Sequence, residues 1–582
     1  MVKYLLGIFT GAVLVFLLFG MLILVAVTAG TTPPFIENDS VLVVNLHGSI
    51  PERTDVAFNF GGWNAATMPT LLEIHQAFQK AAKDDRIVAV ALYCGGIRIG
   101  WGKAQELRWV IQNFKKSGKP IRAFLEGASV LDYYIAVAAD EIATSPESLL
   151  DVKGLHAEIS FYKGTFDKIG VKAELERIGK YKSFAEPWSR SSMSKPFRKV
   201  VNSVLDETYG QFLTAVASAR NMKINELRNV IDAGPFVQKQ AFDAGLVDTL
   251  QYEDEFRDSF EHNLGLDKLN EVNLSQYKTV SLDSMHREEK PLIAVIYAVG
   301  SIMSGDTEID SVFGSDILGA NGFIRVLRKV ATDENIKAVI VRIDSPGGDA
   351  FASDRIWRAM HKLREKKPII FSLSDTAASG GYYIAMANSP VLAYPGTITG
   401  SIGVVYGKFN LRGLYDKLGI NKEIITRGRH AASLSDYRGF SPQERKKARD
   451  DMDAFYSTFV RKVAESRGRT WKEVDKLAQG RTWVGSQAHT NGLIDELGGF
   501  DRAIEMAKKT AGLDSKQDVT LIPYPAPKDF FSLLLEGDWQ TLKSAIVKHV
   551  NSSFNSFHGS LPWPVLFRGG LMQIAPYSIE VR

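Results

Sequence analysis

The chain has 582 residues, 45% hydrophobic and 23% charged, with a formal net charge of +4. These are ordinary globular proportions, and no basic run or basic stripe interleaved with aromatics points to nucleic acid. Cys94 is the single cysteine, which excludes an intramolecular disulfide and any cysteine-built metal cluster.

From Tyr4 to Ala29 there is no charged residue. As a helix that stretch would span about 39 Å, against a hydrocarbon core of about 30 Å. A cleavable secretory signal has an apolar region of only about 7–15 residues. The length therefore predicts an uncleaved membrane anchor over residues 1–30, with a long signal peptide cut near Ala29 as the alternative. Lys3 before the span and Thr31-Thr32-Pro33-Pro34 after it favour an inside N-terminus and an exported body.

Beyond the anchor the chain repeats itself. Val41-Leu42-Val43-Val44 leads to Gly48-Ser49-Ile50, as Ile293-Ala294-Val295-Ile296 leads to Gly300-Ser301-Ile302. Ile87–Val90 matches Ile336–Val339, Tyr133–Ala136 matches Tyr382–Ala385, and Asp167–Gly170 matches Asp416–Gly419, each 249 positions on. Gly245–Asp248 matches Gly492–Asp495 with a drift of two. This register predicts two homologous halves, about 41–265 and 291–515, joined by a polar linker over 266–290. In the second half Ala338–Val341 reads as a strand, 352–366 as an amphipathic helix and Pro368–Phe371 as the next strand, with a helix starting near Ser379. That β-α-β-α order predicts an α/β fold with parallel sheets and crossover helices. Residues 516–582 carry Phe530-Phe531, Leu533–Leu535 and Trp563–Phe567 without a clear period, and are left as an extension without an assigned role.

Two glycine pairs stand where an α/β sheet places ligands. Asp344-Ser345-Pro346-Gly347-Gly348 and Ala377-Ala378-Ser379-Gly380-Gly381 each follow a strand. Either pair alone reads as a turn; on neighbouring strands they read as a cradle. A serine opening a helix sits among free N–H groups, and such donors suit the oxyanion formed when a hydroxyl attacks an amide. The candidate donors are Gly380 with Gly347 or Gly348.

A serine nucleophile needs a base. His361 lies in a charged helical segment and is expected to be solvated. His430 follows the strand-like Glu423–Thr426 and stays a candidate. The register adds a third possibility, because Ala431 aligns with Lys182, in Gly179-Lys180-Tyr181-Lys182-Ser183. Conversely, Ser379 aligns with Val130, while Gly347 and Gly348 align with Arg98 and Ile99. The halves thus complement one another, one with a lysine and the other with a serine and glycines. A lysine acts as a base only when its ammonium is largely deprotonated, and burial lowers its pKa in that direction.

These motifs resemble the signal peptide peptidase A family in its long, two-domain form, over roughly 41–515 plus the anchor. The resemblance rests on Asp344–Gly348, on Ala377-Ala378-Ser379-Gly380-Gly381-Tyr382-Tyr383, and on Tyr181-Lys182-Ser183 with Glu186-Pro187. It implies a tandem Clp-protease/crotonase-like fold, Ser379 as nucleophile, Lys182 as general base, and Ser401 orienting the lysine. Ser401 aligns with Val152 of the first half. It also implies acyl transfer without metal or cofactor, peptide substrates left in a membrane after preprotein cleavage, and a homotetramer. The place implied is a bacterial cytoplasmic membrane, with the catalytic body on the exported side. Two readings compete: a crotonase-like acyl-CoA enzyme, and an inactive membrane scaffold.

Overall fold

The computed structural model describes residues 35–54, 68–266, 268–280, 290–306, 317–526 and 570–574, with parts of 56–64 and residues 11, 21, 528 and 529. The expected anchor over 1–30 lies outside the described residues apart from two isolated positions. Among the described residues no helix is long and apolar enough to cross a membrane.

The first half opens with the aliphatic strand β1 (Ser40–Gly48), helix α1 (Leu71–Lys83) and strand β2 (Ile87–Ile97). Helix α2 (Trp101–Lys115), strand β3 (Ile121–Leu125), helix α3 (Val130–Ala136) and strand β4 (Glu141–Thr144) follow. Next come strand β5 (Lys172–Ile178), the long helix α4 (Lys195–Ala219), and short strands β6 (Thr249–Leu250) and β7 (Asn270–Asn273). β1, β2 and β3 are buried along most of their length, as parallel strands covered by helices on both faces must be. They form one parallel sheet in the order β6-β4-β3-β2-β1-β7.

The second half repeats the plan with β8 (Leu292–Val299), the short β9 (Ser301–Met303) and β10 (Ile317–Gly319), and helix α5 (Ala320–Thr332). Strand β11 (Ile336–Ser345), the short β12 (Gly347–Asp349) and helix α6 (Ala350–Arg364) lead to strand β13 (Ile369–Ala378) and helix α7 (Gly380–Ala385). Short strands β14 (Val391–Ala393) and β15 (Ile398–Gly400) precede β16 (Val404–Asn410) and helix α8 (Pro442–Arg467). Then come β17 (Thr482–Val484), β18 (Glu496–Leu497), helix α9 (Phe500–Thr510), β19 (Thr520–Tyr524) and β20 (Gly570–Ile574). The parallel order β19-β8-β11-β13-β14-β18 matches that of the first sheet strand for strand.

A third sheet, β10-β9-β12-β20-β16-β5, joins the halves. β5 of the first half runs antiparallel to β16 of the second, from Lys172↔Asn410 to Ile178↔Val404. Beside it an apolar cluster draws on both halves: Val171, Phe184 and Trp188 pack with Met303, Val405, Phe409 and Met572.

Three readings change. Part of the stretch expected as a linker is edge strand β7, paired with β1. The extension past 515, left without a role, adds β19 to the second sheet and β20 to the third. Residues 423–426, read as strand-like, are exposed and pair with no strand among the described residues, and an extended segment becomes a strand only against a partner edge.

Candidate active site

The site forms where β11 and β13 end and the first half reaches across. The Lys182 Nζ lies 2.8 Å from Ser379 Oγ, 3.0 Å from Ser401 Oγ and 2.9 Å from the Ser401 carbonyl oxygen. All three residues are fully buried. Burial pushes the Lys182 pKa well below the usual lysine value, because the charged form loses its hydration. No carboxylate opposes that shift. An unprotonated amine at hydrogen-bond distance from a hydroxyl can take its proton.

The backbone is forced to bring these groups together. Ser379 sits at φ 55° and ψ −115°, and Ser401 at φ 52°. Non-glycine residues avoid this region unless the surroundings impose it. Here the Ser379 N–H donates to the Gly400 carbonyl and the Ser401 N–H to the Arg481 carbonyl, each at 2.8 Å. Lys182 follows β5, so the β5–β16 pairing delivers it to the second half. Its loop is held by the Tyr181 N–H donating to the Gln479 carbonyl at 2.8 Å, and by Arg177, which donates to the Lys182 carbonyl and to Glu186. Gly480, at φ 75°, presses on this loop: a Cβ there would lie 2.5 Å from the Lys182 backbone nitrogen.

The glycine cradle is equally close-packed. A Cβ on Gly348 would come 2.0 Å from the Ile302 carbonyl oxygen, so only glycine fits. Gly347 donates its N–H to Ser345 Oγ at 3.2 Å, while Gly348 lies between Ile302 of β9 and Gln573 of β20 in the third sheet. Gly380 opens α7, where first-turn N–H groups have no partner within the helix. Over the cradle lies β20, antiparallel to β12 on one side (Gly348↔Gln573) and to β16 on the other (Val405↔Met572). The Met572 side chain is buried in the apolar cluster with Trp188, Val405 and Phe409.

The equivalent place in the first half is closed. Val130 and Val152 stand where Ser379 and Ser401 would be, and both are buried. The carboxylate of Asp132, fully buried and aligned with Gly381, accepts N–H groups from Ile97 and Ser129, each at 2.9 Å. Arg98, the counterpart of Gly347, gives its N–H to the Gly48 carbonyl at 2.7 Å.

The model of peptidase family S49 matches residues 113–267 and 361–514. A chloroplastic serine protease SPPA of Arabidopsis thaliana is 38% identical over 507 residues, covering 86% of this chain and 74% of that one. Protease 4 of Haemophilus influenzae is 29% identical over 534 residues, covering 86% and 84%. A putative signal peptide peptidase SppA of Enterococcus faecium is 33% identical over 272 residues, 46% of this chain and 78% of its own. The chain belongs to peptidase family S49. It is a peptidase, and the relative from Arabidopsis thaliana is named a serine protease.

Within this S49 peptidase, the structure brings Ser379, Lys182 and Ser401 together and sets Gly347, Gly348 and Gly380 around them. It does not bring in the histidines. His430 lies in an exposed loop. His361 is half-buried rather than solvated, stacked on Trp357 with ring centroids 5.6 Å apart. Sequence reading missed Gly480, Asp132 and β20. The aligned register already paired Asp132 with Gly381; nothing local marked the other two.

Proposed function

We propose that Ser379 and Lys182 form a Ser–Lys dyad that hydrolyses peptide bonds. The observation that carries this reading is the fully buried 2.8 Å contact between amine and hydroxyl. A neutral amine has one lone pair and two N–H bonds. The lone pair receives the Ser379 proton, while the N–H bonds donate to the Ser401 carbonyl and hydroxyl oxygens. Ser379 Oγ then attacks the substrate carbonyl, and the N–H groups of Gly380 and of Gly347 or Gly348 hold the oxyanion. Protonated Lys182 gives its proton to the leaving amine, and water activated by the same lysine releases the acyl group.

The substrate on this reading is an extended apolar peptide, and remnant signal peptides fit. The track between β12 and β16 takes an antiparallel strand, which β20 now occupies, and its side-chain pocket holds an apolar residue, Met572. The apolar stretch Tyr4–Ala29 serves as a membrane anchor with the body on the exported side, near such substrates.

Copies of the chain assemble head to tail, as a tetramer in this proposal. The support is the unfilled counterpart of the β5–β16 joint. A Cβ on Gly170 would lie 2.4 Å from the Gly413 backbone, whereas the residues 249 positions away from each, Gly419 and Gly164, have open space around them. Residues 421–427, the counterpart of β5, lie exposed, with Ile425 at 84% exposure. Such a heterologous contact closes into a ring when the rotation permits.

The test is cleavage of a fluorogenic apolar peptide together with fluorophosphonate labelling. Ser379→Ala and Lys182→Ala lose cleavage, and the label lands on Ser379. Retained cleavage in Lys182→Ala with loss in His430→Ala would replace the dyad with a Ser–His site. An acyl-CoA enzyme would need neither Ser379 nor Lys182.

A further inference from the structure

A second lysine of the first half reaches the two strand ends that carry the site. Lys103, in the first turn of α2, is buried. Its Nζ lies 3.0 Å from Asp344, 3.5 Å from Glu52 and 3.8 Å from Asp375. Asp344 precedes the Gly347-Gly348 cradle by three residues, and Asp375 precedes Ser379 by four. Asp375 also accepts the backbone N–H groups of Gly100 and Lys103, both at 2.8 Å. The start of α2 is thereby fastened to β13.

The place matters because the strand ladder fails there. β11 and β13 pair regularly as far as Ile343↔Leu373, and the register then slips before Ser345↔Ala377. Across such an irregularity backbone hydrogen bonds no longer set how the two strands lie. In their stead, the Thr376 N–H donates to Asp344 Oδ1 at 3.1 Å, and Lys103 bridges Asp344 to Asp375. Cradle and nucleophile stand just beyond this point on separate strands. Their separation decides whether the oxyanion meets its donors.

We infer that Lys103 is a positioning residue for acyl transfer, holding the Gly347-Gly348 strand end against Ser379 through Asp344 and Asp375. The inference rests on the dyad reading above. The first half then supplies two lysines, Lys182 to the reacting atoms and Lys103 to the strands behind them. Removing an oxyanion donor outright costs about 10²–10³ in kcat, so a shifted cradle costs part of that.

The experiment measures kcat and KM per active site, with sites counted by fluorophosphonate titration of the full chain. Lys103→Met lowers kcat per titrated site about 10–100-fold with KM nearly unchanged, and Lys103→Arg recovers most of the loss. The pH at which activity rises stays where it was, because Lys182 is untouched. Asp344→Asn, which keeps the shape and the acceptor for Thr376 while removing the charge facing Lys103, gives a smaller fall of the same kind and serves if Lys103→Met does not fold. Unchanged kcat per titrated site in both variants, with only thermal stability lowered, would reduce Lys103 to a structural ion pair. Failure of the dyad itself reads out separately, as cleavage that survives in Ser379→Ala.

Discussion

Residues 170–182 and residues 419–431 are counterparts 249 positions apart, and they meet different fates. The first crosses to the other half, becomes β5 against β16, and buries Lys182 beside Ser379. The second ends at Ala431, stays exposed and pairs with no strand among the described residues. The sites show the same contrast. Beside Ser379 stand the paired glycines with β20 laid along them, whereas beside Val130 the carboxylate of Asp132 accepts the Ile97 and Ser129 N–H groups. An extended segment becomes a strand only where an edge receives it, and a lysine becomes a base only where burial removes its charge. Neither property belongs to the segment by itself.

The comparison breaks first at Lys182. Lys182→Ala lowers kcat by about 10³-fold or more, while exposed Lys180→Ala leaves it unchanged; equal effects would remove the distinction between the two lysines. Gly480→Ala tests the fit that delivers the lysine, since the added Cβ would push on its backbone. A misplacement near 1 Å costs about 10²-fold, read as kcat per titrated site. Ser401→Ala removes one of the two acceptors that orient the amine but leaves the carbonyl. The expected loss is about 10-fold, part of the 10²–10⁴ a positioned base contributes.

A pH series of denaturant melts sharpens the burial claim. Unfolded lysine holds its proton up to about pH 10.4, and buried Lys182 gives it up earlier, so unfolding takes up a proton. Stability of the native chain relative to Lys182→Met therefore rises with pH, by at most about 1.4 kcal/mol per unit, until the unfolded lysine titrates; a flat difference would mean that Lys182 is charged when folded. The smallest effect is none. Ala431→Lys in a Ser379→Ala background restores no cleavage, because Val130 and Val152 leave that half without a nucleophile or an orienting hydroxyl.

Much of this was legible in the chain. The constant offset exposed two like halves, and their matching sheet orders follow from equivalent strands. Ser379, Lys182 and Ser401 could be picked out because each stands against Val130, Ala431 or Val152, residues unable to do its chemistry. What could not be read depends on distant packing. Gly480 matters through a contact almost three hundred residues away in sequence, with Lys182. The strand at 570–574 has no period that marks it, since its partners are β12 and β16 rather than a hairpin neighbour. The aligned register held the signal for Asp132, but a carboxylate opposite Gly381 reads as a loss until its two N–H partners are seen.

The central claim is that a buried, neutral Lys182 activates Ser379. It is tested most directly by the rate of Ser379 phosphonylation as a function of pH, in the native chain and in Lys182→Met. The native rate climbs with pH and levels off well below the ordinary lysine value, and the variant is slow at every pH. A variant that labels Ser379 at the native rate with the same pH profile would contradict the claim.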